Sequence, residues 1–162
     1  MHERRDMTHN PFMRRAVDLA LEKMRQNGDG PFGAVVVRDG EIIAEGWNQV
    51  TATNDPSAHA EMVAIRQACA NLGQFELTDC DIYANCEPCP MCLGAIYWTR
   101  LRRLYYCKTR DDAAQIGFDD NFIYDEIALP PGQRAIPAIQ LTDDKADLVF
   151  SKWAANPDKR EY

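Results

Sequence analysis

The tightest constraint on how this chain folds is a pair of segments, His59-Ala60-Glu61 and Cys86-Glu87-Pro88-Cys89-Pro90-Met91-Cys92. Between Glu61 and Cys89 lie 27 residues, enough for a helix, a strand and a turn. The pattern over 58–71 predicts a helix that stops near Asn71 and Gly73, the Asp81–Asn85 run predicts a strand, and Pro90–Thr99 predicts a second helix. Cys89 and Cys92 are three residues apart at a helix start, so both sulfurs fall on one side, and Pro90 takes the first-turn place where proline is tolerated. His59 falls near a helix start too, just after Asp55-Pro56. Two helix starts meeting at a sheet end bring His59, Cys89 and Cys92 around one ion.

Zinc favours tetrahedral thiolate and imidazole sites, and a catalytic site keeps one position open. Three protein ligands leave the fourth place to water. Partial positive charge at a helix start stabilises the thiolates. Zinc held by two thiolates and a neutral imidazole keeps little net charge, so its water is acidified less than in a three-histidine site. A nearby carboxylate must then carry the water proton, and Glu61 is placed for that acid–base work. Cys86 and Cys89 form an overlapping C-x-x-C, which leaves a reading of another class open: a redox dithiol, or a closed, non-catalytic zinc site with Cys86 as fourth ligand. Cys86 comes off a strand end before the proline turn, and a closed site leaves Glu61 without a task.

The rest of the chain reads as one domain over 10–162, with residues 1–9 polar, charged and disordered. Asn10-Pro11 reads as a helix cap and first-turn proline, with Phe12, Ala16, Leu19, Ala20 and Met24 at helical spacing and Gly28 as the stop. Gly33–Val37 and Ile42–Trp47 read as a hairpin around Asp39-Gly40. A further strand is expected at Leu104–Cys107, short helical pieces at 111–116 and 122–129, a break at Pro130-Pro131-Gly132, a strand near Ile136–Leu141 and a helix near 144–155. The order predicts an α/β sandwich on a mixed five-stranded sheet.

Composition narrows the function classes. Hydrophobic residues make up 46% and charged residues 27%, ordinary for a globular chain. With 25 acids against 18 bases the net charge is −7, which disfavours a phosphate-binding surface and a nucleic-acid partner. The basic spot Arg100, Arg102, Arg103 reads as a solvated helix end. No apolar run suits a signal peptide or a membrane span, and six cysteines without a leader read as reduced thiols or metal ligands. A soluble cytoplasmic protein is expected.

His59-x-Glu61 followed by Pro88-Cys89-x-x-Cys92 resembles the H-x-E…P-C-x-x-C signature of the zinc-dependent nucleoside and nucleobase deaminases. Gly30-Pro31-Phe32-Gly33-Ala34, Asn54-Asp55-Pro56, Cys86 through Trp98, Gly117-Phe118-Asp119-Asp120 and the final Glu161-Tyr162 are similar to the bacterial guanine deaminases, so the likeness runs from Ala16 to Tyr162. The resemblance implies a three-layer α/β/α cytidine-deaminase-like fold and a homodimer that exchanges the segment 144–162. It implies one zinc per chain on His59, Cys89 and Cys92, with Glu61 as proton shuttle. It further implies attack of a zinc-bound hydroxide on purine C2, by which guanine would give xanthine and ammonia in purine breakdown.

Carried over by position, Asn48 and Asp120 would hydrogen-bond the purine base, and Tyr162 would reach the partner subunit's site. Phe32 and Trp98 would wall the flat ring. Guanosine, amino-triazines and cytosine stay open as substrates within this chemistry, as does adenosine in a tRNA anticodon, whose deaminases share the motif. A flipped nucleotide needs a basic approach for its phosphates, and the acidic balance favours a free base.

Overall fold

The computed structural model describes residues 9–162; the expected frayed terminus lies, except for His9, outside them. The chain divides into two compact units, one ending at Asp120 and the other spanning Asn121–Tyr162.

The first unit begins with helix α1, Pro11–Asn27. Asn10 Oδ1 accepts from the Phe12 and Met13 amides, both at 3.0 Å, which satisfies two donors that no helical carbonyl can reach. Gly28 ends the helix in the left-handed region, its amide bonded to the Met24 carbonyl, as a C-terminal glycine does. Strands β1 (Gly33–Arg38) and β2 (Glu41–Trp47) follow, antiparallel. Asp39 and Gly40 between them both have positive φ, the geometry a two-residue hairpin needs.

The chain continues through the short helix α2 (Val50–Thr53), α3 (Ala60–Leu72), strand β3 (Cys80–Cys86), α4 (Pro90–Trp98), strand β4 (Arg103–Lys108) and α5 (Arg110–Gln115). The sheet order is β2-β1-β3-β4. β3 runs antiparallel to β1 and parallel to β4, so the sheet is mixed.

Alternation along β1 and β3 divides the core in two. Ala34, Val36, Ile82 and Ala84 face Ala60, Ala64 and Ala68 of α3 and Ile96 of α4. Val35, Val37 and Tyr83 face Leu19 of α1. Helices thus cover both faces, giving three layers. Close approach depends on two glycines. A Cβ on Gly33 would stand 2.2 Å from the Ala16 carbonyl oxygen, and one on Gly46 2.2 Å from that of Ala60. The second contact matters for function, because it sets α3, and hence His59 and Glu61, down on β2.

One sequence expectation is corrected. Among the described residues the sheet has four strands, not five, because residues 136–141 form no strand. Pro137 in that run lacks an amide donor, and its unit contains no other strand to pair with. The second unit consists of α6 (Asn121–Ala128), a single 3-10 turn (Pro131–Gln133) and α7 (Ala146–Ala155). Arg134 ties its first part together, donating from Nε to the Glu126 and Leu129 carbonyls. Neither of its helices buries a residue.

Candidate metal centre

His59 and Cys89 occupy equivalent places: each is the cap residue of its helix, α3 and α4, in extended conformation. A cap side chain ordinarily bonds back to the first-turn amides. Neither does so here; they turn to each other instead. The turn before His59 is set by Asp55, whose Oδ1 accepts from the Ser57 amide and hydroxyl, and by the His59 amide donating to the Ser57 carbonyl. Cys92 lies one turn into α4, fully buried, and Glu61 lies in the first turn of α3 with 7% of its surface exposed.

The ligand atoms of His59, Cys89 and Cys92 all lie within 4.8 Å of one another. His59 Nδ1 is 3.5 Å from Cys89 Sγ and 3.6 Å from Cys92 Sγ. Zinc at ordinary bond lengths to sulfur and imidazole nitrogen separates tetrahedral N and S ligands by about 3.6 Å. The donor types and both nitrogen–sulfur separations therefore fit zinc. Cys86 stays out of the cluster. Its Sγ points to the Thr109 carbonyl at 3.6 Å, and burial pushes its thiol up to about 11.

Charge within the cluster is unevenly shared. The hydrogen bond from Cys92 draws Cys89 down to about 4, with His59 adding to the effect. The same bond, together with burial, pushes Cys92 up. His59 is raised by its bond to Cys89. A metal ion displaces these protons as it binds, since only thiolate and neutral imidazole are ligands. Glu61 Oε2 accepts from Cys92 Sγ at 3.5 Å, and burial, foremost, raises its carboxyl. The cluster thus has a desolvated carboxyl at its edge, with a proton affinity raised above that of an exposed glutamate.

The other candidate residues separate into two sets. Asn48 directly follows β2 and is buried; its backbone amide donates to the Phe32 carbonyl at 3.1 Å, and its Oδ1 accepts from the Val50 amide. Asp120 has its Oδ1 buried and without a hydrogen-bond partner among the described residues. Burial raises its carboxyl, and the charge of Cys89 acts in the same sense, which puts it within electrostatic reach of the cluster. Phe32 meets Phe118 edge-to-face, ring centroids 4.9 Å apart.

Trp98, at the end of α4, is 64% exposed. Tyr162 belongs to the second unit and is 70% exposed. A cavity of about 340 Å³ is bordered by Phe32, Asn85, Cys86 and Lys108, and no side chain of the metal cluster lines it. Sequence reasoning passed over Asn85, whose amide bonds both Pro31 and Gly33. A carboxamide in a strand whose other side chains are mostly buried was the available signal.

Residues 6–108 match the family described as the cytidine and deoxycytidylate deaminase zinc-binding region. A guanine deaminase of Bacillus subtilis (strain 168) is 53% identical over 156 residues, 96% of this chain and 100% of that protein. An X-ray structure of guanine deaminase from Bacillus subtilis has a TM-score of 0.92 and 52% identity, covering 95% of this chain and 98% of that one. A tRNA-specific adenosine deaminase of Agrobacterium fabrum (strain C58) is 47% identical over 93 residues, 56% of this chain and 61% of that protein. With a zinc-fitting His-Cys-Cys cluster at two helix starts and this match across its sheet, the chain belongs to the cytidine and deoxycytidylate deaminase family of zinc-binding proteins.

Proposed function

We propose that this protein hydrolyses guanine to xanthine and ammonia. The observation that carries the reading is the buried Glu61 carboxylate against the His59–Cys89–Cys92 cluster, in a chain aligned end to end with a guanine deaminase. Bound by those three side chains, zinc supplies Lewis-acid activation of water. Glu61 takes a proton from the attacking water and delivers it to the departing 2-amino nitrogen. A C–O bond forms at C2, the C2–N bond breaks, and ammonia leaves with the proton. Burial suits the carboxyl to both halves of this transfer, since a raised pKa lets it hold the proton between them.

Asn48 and Asp120 supply the polar contacts to the base in this reading. Asn48 retains a second lone pair on Oδ1 and, among the described residues, no partner takes its Nδ2. Asp120 offers a bare acceptor to the ring N–H groups. Phe32 provides an apolar wall, with Trp98 as a second. The enzyme acts as a homodimer in which 144–162 passes to the partner and Tyr162 closes its site. Exposed apolar side chains in the second unit, Ile136, Leu141 and Phe150 among them, support that assembly. The net charge of −7 and the partial span of the tRNA deaminase match favour the free base over an RNA substrate. No helix among the described residues is long and apolar enough to cross a membrane.

The test is a spectrophotometric assay of zinc-loaded protein with guanine, following xanthine, with released ammonia as the check. Multiple turnovers with matched xanthine and ammonia are expected. Stoichiometric zinc with no xanthine would overturn guanine as the substrate and redirect the search to guanosine, triazines, cytosine and tRNA.

A further inference from the structure

The turn leading into β1 is held by hydrogen bonds at each peptide from the Gly30 carbonyl to the Gly33 amide. Asn85, on β3, donates from Nδ2 to the Pro31 carbonyl and accepts at Oδ1 from the Gly33 amide, both at 2.9 Å. One side chain therefore grips the peptides on either side of Phe32. Asp29, buried, accepts at Oδ1 from the Thr51 hydroxyl and from the Ala52 amide, tying the turn to α2. The Phe32 amide donates to the Gly30 carbonyl, and the Phe32 carbonyl accepts from the Asn48 backbone amide.

Gly30 sits at the middle of these contacts. A Cβ there would stand 3.2 Å from Phe32 Cδ2 and 3.3 Å from both Cγ and Nδ2 of Asn48. Its φ lies outside the left-handed region, so an alanine can adopt the backbone. Glycine is required here for space, not for conformation. The groups that crowd it are the ring of Phe32 and the side-chain carboxamide of Asn48, the same two that are read above as touching the base.

We propose that Gly30 is a positioning residue for the purine base: lying between the Phe32 ring and the Asn48 amide in a turn fixed by Asn85 and Asp29, it sets the separation of these two groups. A methyl group at this point pushes both by a few tenths of an ångström. In a fitted polar site such a shift lengthens a hydrogen bond that the base needs and leaves the metal cluster untouched. The inference rests on the proposed role of Asn48 as a contact to guanine.

The experiment is steady-state kinetics with guanine on zinc-loaded Gly30→Ala, Asn48→Ala and the double variant, with zinc content and melting temperature measured for each. Gly30→Ala is expected to keep one zinc per chain and raise the KM about tenfold or more, the scale of one methylene of misfit in a fitted pocket. In the Asn48→Ala background the added effect of Gly30→Ala is expected to shrink to about twofold or less, as coupled sites behave. Asn85→Ser loosens the turn without adding bulk and is expected to raise the KM in the same sense, which keeps the inference testable if Gly30→Ala does not fold.

An unchanged KM in Gly30→Ala, alongside a raised KM in Asn48→Ala, would overturn the inference and leave the function reading standing. An unchanged KM in Asn48→Ala would overturn the role of Asn48 and the inference together. A fall in zinc content and kcat in proportion, at constant KM, would show a merely structural glycine.

Discussion

The two units of this chain contain similar side chains and use them in opposite ways. Up to Asp120, apolar residues meet one another: two clusters, one on each face of the sheet, bury Leu19, Val35, Val36, Ile82 and the alanine stripe of α3. From Asn121 onward, Phe122, Ile136, Leu141, Phe150 and Trp153 stay exposed, and α6 and α7 bury nothing. A sheet with a helix layer on each side can bury its own apolar surface, whereas two short helices joined by an irregular segment cannot. The first unit therefore has what it needs to hold a preorganised metal cluster. The second leaves its apolar surface uncovered within one chain, the surface that the proposed exchange between copies would bury.

The largest test of this contrast is loss of the metal. Cys89→Ala should drop zinc from about one per chain to none by elemental analysis and abolish turnover, because two remaining ligands cannot hold a catalytic zinc. Retained zinc would mean the ligands lie elsewhere. Next, removing Glu161 and Tyr162 should lower turnover about tenfold or more, the cost of misplacing a positioning contact, at unchanged zinc content. Full activity after that truncation would exclude Tyr162 from the site.

Stability should divide along the same line. Ile82→Ala, in the fully buried middle of the sheet, is expected to cost about 2–5 kcal/mol in denaturant unfolding. Phe150 is 79% exposed, so within one chain Phe150→Ala should cost about 0.5 kcal/mol or less. A larger cost that grows with protein concentration would show α7 covered in a dimer, sharpening the contrast; a large cost independent of concentration would break it.

The smallest effect concerns acid stability. Arg15 grips Glu45 through two bonds of 2.7 and 2.8 Å between α1 and β2, and that bond holds the Glu45 carboxyl below its usual value of 4.5. A carboxyl lowered in the folded state stabilises above its unfolded pKa, and the contribution is lost as pH falls through the folded one. Both side chains are about a third exposed, so the pair contributes about 1 kcal/mol at most. Glu45→Gln should flatten the loss of stability below about pH 4.5; an unchanged acid limb would mean the pair contributes nothing.

Much of this architecture is legible in local chemistry. Asn10-Pro11, Gly28 and Asp39-Gly40 mark their caps and turn because each residue type satisfies a specific backbone need. His59, Cys89 and Cys92 are legible because metal ligands at helix starts have a spacing of their own. The expected fifth strand does not form: Ile136–Leu141 is rich in apolar residues, yet pairing depends on a neighbour that no local pattern reveals. The short α2 carries no apolar stripe to announce it. Asn85 and Gly30 act by touching residues far away in sequence, Pro31 and Gly33 for the one and Asn48 for the other. Such contacts become visible only once the sheet is assembled.

The most direct measurement is turnover of guanine by Glu61→Gln, with zinc counted in the same preparation. Glutamine preserves the shape of the side chain and removes its capacity to carry a proton. The account predicts about one zinc per chain and a loss in kcat of roughly 10²–10⁴-fold, the span of an acid–base residue. Near-normal xanthine formation by the zinc-loaded variant would contradict it.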